Sequence, residues 1–332
     1  MSVLRYLGLA REAVFNPAIP PMAEFFVDIA SATLDAPADT QIIYEGGLTR
    51  GVRMHRPGFY APAGNIVYAF DIRTIAFLLR CALGGYRFTA GTPPALNTHE
   101  IWSSFGNVMP SFTARLGKDH FEHVFTGCVI NSLEIAVEGE YCMATAEIIA
   151  ARDVRAAIAD RGSIILPAEY PLVFHEVKAS IAGSDRSADV KTLTLSIGNN
   201  LAVESGRGLG SRHPYRIPAQ NLDVMLNMTL WYANSAELER YWGGATGPAI
   251  GGSQEFPVVL NFDSGTHGDM IIELPRFAYT QVQQQPGGRG EIVQSVAGRA
   301  FLTNETLLGG SPTVSTEILA TVINAQGNLA TM

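Results

Sequence analysis

Alternation constrains this chain more than any other feature of its sequence. Run after run places apolar residues at every second position, the period of a strand with one buried face. Gly, Pro, Asn or Asp closes most of these runs. In Val129 to Glu138, Val129, Leu133, Ile135 and Val137 fall on one face, which Asn131 interrupts, while Ser132, Glu134 and Glu138 fall on the other. Tyr141 to Ala150 reads as its hairpin partner across Gly139-Glu140. Comparable runs cover 189–197, 222–231, 257–263, 269–283 and 291–303. Such a chain folds as a mainly β protein, and its 33 glycines and 18 prolines supply turns for many short strands.

Only two stretches carry helical spacing. Between Asp71 and Gly84, apolar Ile72, Ile75, Ala76, Leu79 and Leu83 recur at the i, i+3, i+4, i+7 positions of one helix face. Asp71 is placed to cap the start, and Gly84-Gly85 to supply a left-handed stop. The second window runs from Asn234 to Trp242. Asn234 followed by Glu237 has the spacing of a capping box, Leu238, Tyr241 and Trp242 share a face, and Gly243-Gly244 ends the helix.

The two windows sit in matching contexts. Pro62-Ala63-Gly64-Asn65-Ile66 and a strand precede the first, and Pro218-Ala219-Gln220-Asn221-Leu222 and a strand precede the second, an offset of 156 residues (218 − 62). Each copy then continues as helix, Gly-Gly, a long loop with Gly or Pro, and further strands, with Val124 to Ala151 aligning with Met270 to Ala300. A chain of 332 residues is also long for one domain. Both observations predict a tandem duplication: residues 1–160 with an N-terminal arm and a long loop at 86–110, and residues 161–332 with a C-terminal extension. The boundary is expected near 155–175, where Leu166 to Pro171 reads as a linker.

Chemistry is hard to find. The net charge of −8 disfavours a surface that grips nucleic acid through its phosphates. Cys81, Cys128 and Cys142 are odd in number and lack CxxC spacing, so they read as reduced core thiols. His120-Phe121-Glu122-His123 has a spacing that suits metal on a helix, but it follows Gly117-Lys118-Asp119 and precedes a strand, so a turn is the better reading. Gly206-Arg207-Gly208-Leu209-Gly210 lacks the Gly-Lys-Ser/Thr ending of a phosphate loop and a following helix, so it reads as a hairpin loop. Thr266-His267-Gly268-Asp269 is ordinary turn composition. No nucleophile elbow is present, and no catalytic residue, cofactor or metal site is expected. The N-terminus lacks a leader-like apolar run, and no segment reaches membrane-spanning length. The expectation is a soluble protein made in a reducing cytoplasm.

Large apolar residues in loop-like stretches point instead to contacts between subunits. The 86–110 segment contains Gly91, Pro93 and Pro94, yet carries Phe88, Ile101, Trp102, Phe105 and Val108. Such side chains supply anchoring area against a neighbour. The N-terminal arm, with Phe15, Ile19, Met22, Phe25 and Phe26, and the stretch Ser311 to Met332 are comparable candidates. A decoration or hub component of a virus particle would share the all-β pattern, and so would a carbohydrate-binding or hydrolytic β-sandwich.

Thr126-Gly127-Cys128-Val129-Ile130-Asn131-Ser132-Leu133-Glu134-Ile135, followed by a strand ending in Ala-Arg-Asp, resembles the tail tube (major tail) proteins of long-tailed, non-contractile bacteriophages. So does Arg56-Pro57-Gly58-Phe59-Tyr60 leading through Pro62-Ala63-Gly64-Asn65 to the Leu78-Leu79-x-x-x-Leu83-Gly84 helix. The likeness runs weakly over nearly the whole chain. It implies two β-sandwich or half-barrel domains, each flanked by one short helix, whose inner sheets join into a ring-shaped barrel. Family rings hold about six such domains, so duplicated chains would form trimeric, pseudo-hexameric rings. The implied partners are further copies of the chain, the tape measure protein, the tail terminator and distal tail or baseplate proteins, with DNA passing through the lumen and no membrane. The implied place is the virion tail, assembled in the host cytoplasm, with Ser132, Glu134 and Glu138 facing the lumen.

Overall fold

The structure is a computed structural model that describes residues 5–35, 41–44, 54–92, 96–159, 163–164, 170–285, 292–308 and 310–330. Leu166 to Glu169 of the expected linker and the expected boundary at 160 and 161 lie outside these residues. The first strands are β1 (Arg5–Arg11), β2 (Phe25–Val27), β3 (Ser31–Ala32), β4 (Gln41–Tyr44), β5 (Met54–Pro57) and β6 (Ala63–Ala69). Helix α1 (Ile72–Leu83) follows, then β7 (Gly84–Thr89), β8 (Asn97–Ser103), β9 (Phe112–Lys118), β10 (Phe121–Val137), β11 (Cys142–Ile149) and β12 (Arg152–Ala156). After them come β13 (Val177–Ile181), β14 (Ser184–Asp185), β15 (Val190–Gly198), β16 (Asp223–Trp231), helix α2 (Ala236–Trp242) and β17 (Phe256–Asp263). The last are β18 (Asp269–Gln285), β19 (Val293–Ala300), β20 (Thr303–Thr306), β21 (Thr313–Thr316) and β22 (Leu319–Asn324). The chain is mainly β with two short helices, as its alternation requires.

Both helices form where their caps predict. Asp71 Oδ1 accepts the Arg73 and Thr74 N–H groups at 2.8 and 2.9 Å, and Gly84 closes α1 at φ 84°. The cap of α2 differs from the expected box. Asn234 Oδ1 accepts the Ala236 N–H, but Glu237 turns inward, where its carboxylate accepts from Tyr279 Oη at 2.7 Å and pairs with Arg240. Glu237 is thus the fully buried residue of α2; Tyr241, one turn on, packs against the core, while Leu238 and Trp242 are half-buried. A tertiary partner outcompeted the local one.

Antiparallel pairing strings eight strands into one main sheet in the order β3-β6-β11-β10-β15-β16-β19-β18. The two 17-residue strands, β10 and β18, continue beyond it. The first half of β10 lies between β9 and β12, and β9 pairs onward with β1 and β1 with β2. The first half of β18 lies between β17 and β22, and β17 pairs onward with β13 and β13 with β14. Each long strand thus serves two sheets, and the order of its neighbours is the same in both cases.

The register shifts that allow this coincide. Against its flanking strand, β10 shifts between Phe125 and Cys128, and β18 between Leu274 and Phe277. Against its hairpin partner, β10 shifts between Ile130 and Ser132, and β18 between Tyr279 and Gln281. One spacing of 149 residues relates both pairs (277 − 128 and 279 − 130). The Pro-Ala-x-Asn repeat does not follow the strands as closely: Ala63 begins β6, whereas Pro218 and Ala219 precede β16.

The shift at Asn131 also corrects the simple alternation. A bulge places two residues opposite one and re-aims the side chains that follow. Ile130 therefore joins Leu133, Ile135 and Val137 in the main core, while Val129 turns to a small separate cluster with Met109 and Ile217. The main core is continuous through the chain: Phe25, Phe77 and Phe112 meet edge to face, and Phe70 from before α1 meets Phe262 of β17 at 5.9 Å. Helix α1 packs on β10 and α2 on β18.

Two stretches expected as loop or extension are ordered strands. Most of 86–110 forms the β7–β8 hairpin, and β8 pairs with β22, so the first half of the chain is laced to its last strand. Trp102 lies flat over Gly85, where an added Cβ would meet the indole at 2.5 Å, so that glycine is what lets the hairpin close. Within Ser311 to Met332, β22 fills a place between β18 and β8. Its buried Asn324 accepts from the His99 ring at 3.0 Å.

The N-terminal segment is held by one buried carboxylate. Glu12 accepts from Ser111 Oγ at 2.7 Å, Thr113 Oγ1 at 2.7 Å, the Gly127 N–H at 2.8 Å and the Asn16 N–H at 3.2 Å. Glu12→Gln puts an amide donor where only donors converge. It is expected to lower unfolding free energy by about 3 kcal/mol, measured by denaturant titration, because buried donors lose a charged acceptor.

Candidate functional site

The main sheet has one face under the core and one that, among the described residues, is free apart from the small Val129 cluster at one end. After its bulge β10 directs Leu133, Ile135 and Val137 into the core, so Ser132, Glu134 and Ala136 emerge on the other side. Cross-strand register extends this face over the following strands. Ala136, Thr194, Asn227, Ala297 and Gln281 form one transverse row. Thr192, Thr229, Ser295 and Gln283 form the next. These rows line a shallow concavity, with Glu138 at its margin. Its side chains are mostly small or amide, able to meet water without offering an apolar hold.

The charges on this face are unevenly satisfied. Asp223 is paired with Arg299, and Asp35 with Lys118 at 3.1 Å. Glu147 accepts from Asn131 Nδ2 at 2.8 Å and Ser132 Oγ at 3.0 Å, bracing the bulge. Glu138 accepts from Thr194 Oγ1 at 3.2 Å. Among the described residues Glu134 and Glu138 have no cationic partner, so the face presents net negative charge. A polyanion near it is repelled rather than gripped.

Ser132, Glu134 and Glu138 therefore lie together on the free side of one sheet. The sequence-derived contact residues are more dispersed. Phe25 and Ile101 are buried within this chain, and Phe88 and Trp102 are half-buried on β7 and β8. Phe15 packs against the small Met109, Val129, Ile217 cluster, while Ile19 is 86% exposed. Phe105 and Val108 are 75% and 79% exposed. Asn107 O accepts the Ala219 N–H, and Met109 touches the cluster that holds Phe15. The arm and the loop after β8 thus meet at one end of the chain. Sequence reasoning missed Glu147, Asp223 and Arg299, and the glutamine edge of β18. Glu147 was reachable, since alternation along β11 puts it on the free face beside the interrupting Asn131.

No reactive constellation accompanies this surface. Among the described residues no three His, Cys, Asp or Glu side chains converge as a metal site. His120 sits in the β9–β10 turn, and His123 lies on β10 with Nδ1 3.6 Å from Asp153. The three cysteines are free and buried, and burial pushes the thiols of Cys81 and Cys142 up to about 12. Among the described residues no helix is long and apolar enough to cross a membrane.

With this geometry in place, comparison with known families is specific. A family model described as phage tail tube protein matches residues 3–300. No curated protein matches the chain.

Glu147→Ala leaves Asn131 and Ser132 without their shared acceptor. Asn131 Oδ1 also accepts the Leu201 N–H at 2.9 Å, so the loop that follows β15 should loosen with the bulge. The expected cost is about 1.5 kcal/mol in denaturant unfolding, with earlier proteolytic cleavage within 199–222.

Proposed function

Because the chain belongs to the phage tail tube protein family, a family of structural tail components, we propose that it polymerises into stacked rings that form the hollow conduit for DNA ejection. The observation that carries this reading is the polar, net-acidic face of the main sheet. Turned inward around a ring, that face makes a lumen wall of amides, hydroxyls and carboxylates. Such a wall repels phosphate and lets a duplex slide, where a basic wall would hold it.

We read the chain as two tandem copies of one tube unit, 1–160 and 161–332, so that three chains close a ring of six units. The shared neighbour order around β10 and β18, with both register shifts at one spacing, supports this reading. Ring closure also has a physical motive, because the end strands of the main sheet carry backbone groups that pairing with another copy would satisfy. Stacking of rings would use the exposed apolar groups at one end, Ile19, Phe105 and Val108. Partners in this role are the tape measure protein inside the tube, the tail terminator, and distal tail or baseplate proteins, in a virion tail assembled in the host cytoplasm.

Two outcomes are expected. Purified protein at high concentration should form tubes of constant diameter in negative-stain images, with ring mass equal to three chains. A stable monomer, or six chains per ring, would count against the respective parts of the proposal. Glu134→Lys with Glu138→Lys should change stability by only about 0.5 kcal/mol and leave tubes intact, yet slow DNA ejection severalfold. Unchanged ejection kinetics would remove both residues from the lumen.

A further inference from the structure

Between the two long strands the structure contains one complete seam and the two unmatched halves of a second. The complete seam is β10 against β15: Leu133 opposes Ile197, Ile135 opposes Leu195 and Val137 opposes Leu193. It joins the first four strands of the main sheet to the last four. At one end of that sheet, among the described residues, β18 from Thr280 to Gln285 pairs with β19 alone. Beyond the register shift at Thr280, its edge carries Gln281, Gln283, Gln284 and Gln285, with no lysine or proline between 281 and 285 to protect it. At the other end, among the described residues, the strand pairing of the segment at 31–35 is with β6, while the Asp35 side chain also meets Lys118. Thr33 and Asp35 donate to Asn65 and Ala63 of β6, so alternation aims the backbone groups of Ala32 and Leu34 away from it.

The register shifts convert this symmetry into a register. Residues of β10 map onto β18 by adding 149 (279 − 130). Successive pairings through β11 and β19, then β6 and β16, place Leu34 where Leu195 stands, 161 residues earlier (195 − 34). The side-chain faces agree: Leu34 and Leu195 are both fully buried, and Ser31, Thr33 and Asp35 lie on the same free face as Thr192, Thr194 and Ser196. Applied to the seam, the mapping turns Ile135 opposite Leu195 into Gln284 opposite Leu34.

We propose that a second copy of this chain adds its 31–35 strand to the open edge of β18, antiparallel, with Gln284 opposite Leu34, Gln283 opposite Asp35 and Gln285 opposite Thr33. This inference rests on the tube reading and specifies the contact within one ring. The seam between chains is more polar than the seam within a chain, with Gln284 in place of Ile135. That difference suits an edge that must stay soluble until it meets its partner. By alternation, Gln283 and Asp35 form a non-hydrogen-bonded pair on the free face, with Cα atoms about 4.5 Å apart, within disulfide reach.

The test is a chain carrying Asp35→Cys and Gln283→Cys, assembled into tubes and then mildly oxidised. Within one chain the two positions lie at opposite ends of an eight-strand sheet, about 30 Å apart by strand spacing, so a disulfide between them joins two chains. The native cysteines are buried with suppressed thiolates and do not compete. Most of the protein should become covalent oligomers on a non-reducing gel, at least tenfold more than with Asp35→Cys and Gln281→Cys, where the register is wrong by two residues. Where the first pair disturbs assembly, Thr33→Cys with Gln285→Cys probes the same register. Wild-type tubes combined with failure of both pairs to cross-link, or with faster cross-linking of the shifted pair, overturn this register and leave the tube function standing. Absence of wild-type tubes overturns that function and this seam together.

Discussion

The fold depends on two strands that change sheets partway along their length. An extended strand presents one alternation to one set of neighbours, so a 17-residue strand would ordinarily force a single flat sheet. The register shifts in β10 and β18 break that alternation at two defined points and bend the strand. Everything else follows from the bend. The first half of each strand carries a flanking sheet, the second half carries the main sheet, and the core fills the angle between them under α1 and α2. Glu147 and the small Val129 cluster beside it, both on the side away from the main core, hold the bulge of β10 in place.

The same bend separates two kinds of surface. On the core side, aromatic contacts such as Phe25 with Phe77 and Phe70 with Phe262 unite both halves of the chain. On the other side, among the described residues, the main sheet is left uncovered except at one end, where Phe15, Leu201 and Ala219 pack with Val129 and Ile149. An uncovered sheet face in a globular protein must be polar enough to stay wet, and this one is. Its carboxylates go beyond wetness: Asp223 and Asp35 are matched by Arg299 and Lys118, whereas Glu134 and Glu138 have no cationic match among the described residues. The lumen proposed for this face gives a reason to keep it acidic.

The lacing of β8 to β22 sets a limit on how independent the two halves can be. His99, Asn324 and Tyr86 form a buried polar chain across that junction, and Ser103 bonds to Thr316 at 2.8 Å. The halves therefore fold against one another, and any motion that a tube needs has to arise between chains. The polar seam proposed for β18 places it there.

Much of the local structure was legible from residues alone, because its causes are local. Asp71 and Gly84 bound α1, the runs from 189 to 303 became strands, and alternation put Ser132, Glu134 and Glu138 on one face. What the sequence could not reveal was decided by distant partners. Glu237 abandoned its cap for Tyr279, Asn131 became a bulge because Glu147 and Leu201 hold it, and Phe88, Ile101 and Trp102 entered strands because β22 offered an edge. Period and capping act over a few residues and are written in order along the chain. Register, burial of a charge and the choice of an edge depend on partners 16, 42, 70 or more than two hundred positions away, and only the folded chain brings those together.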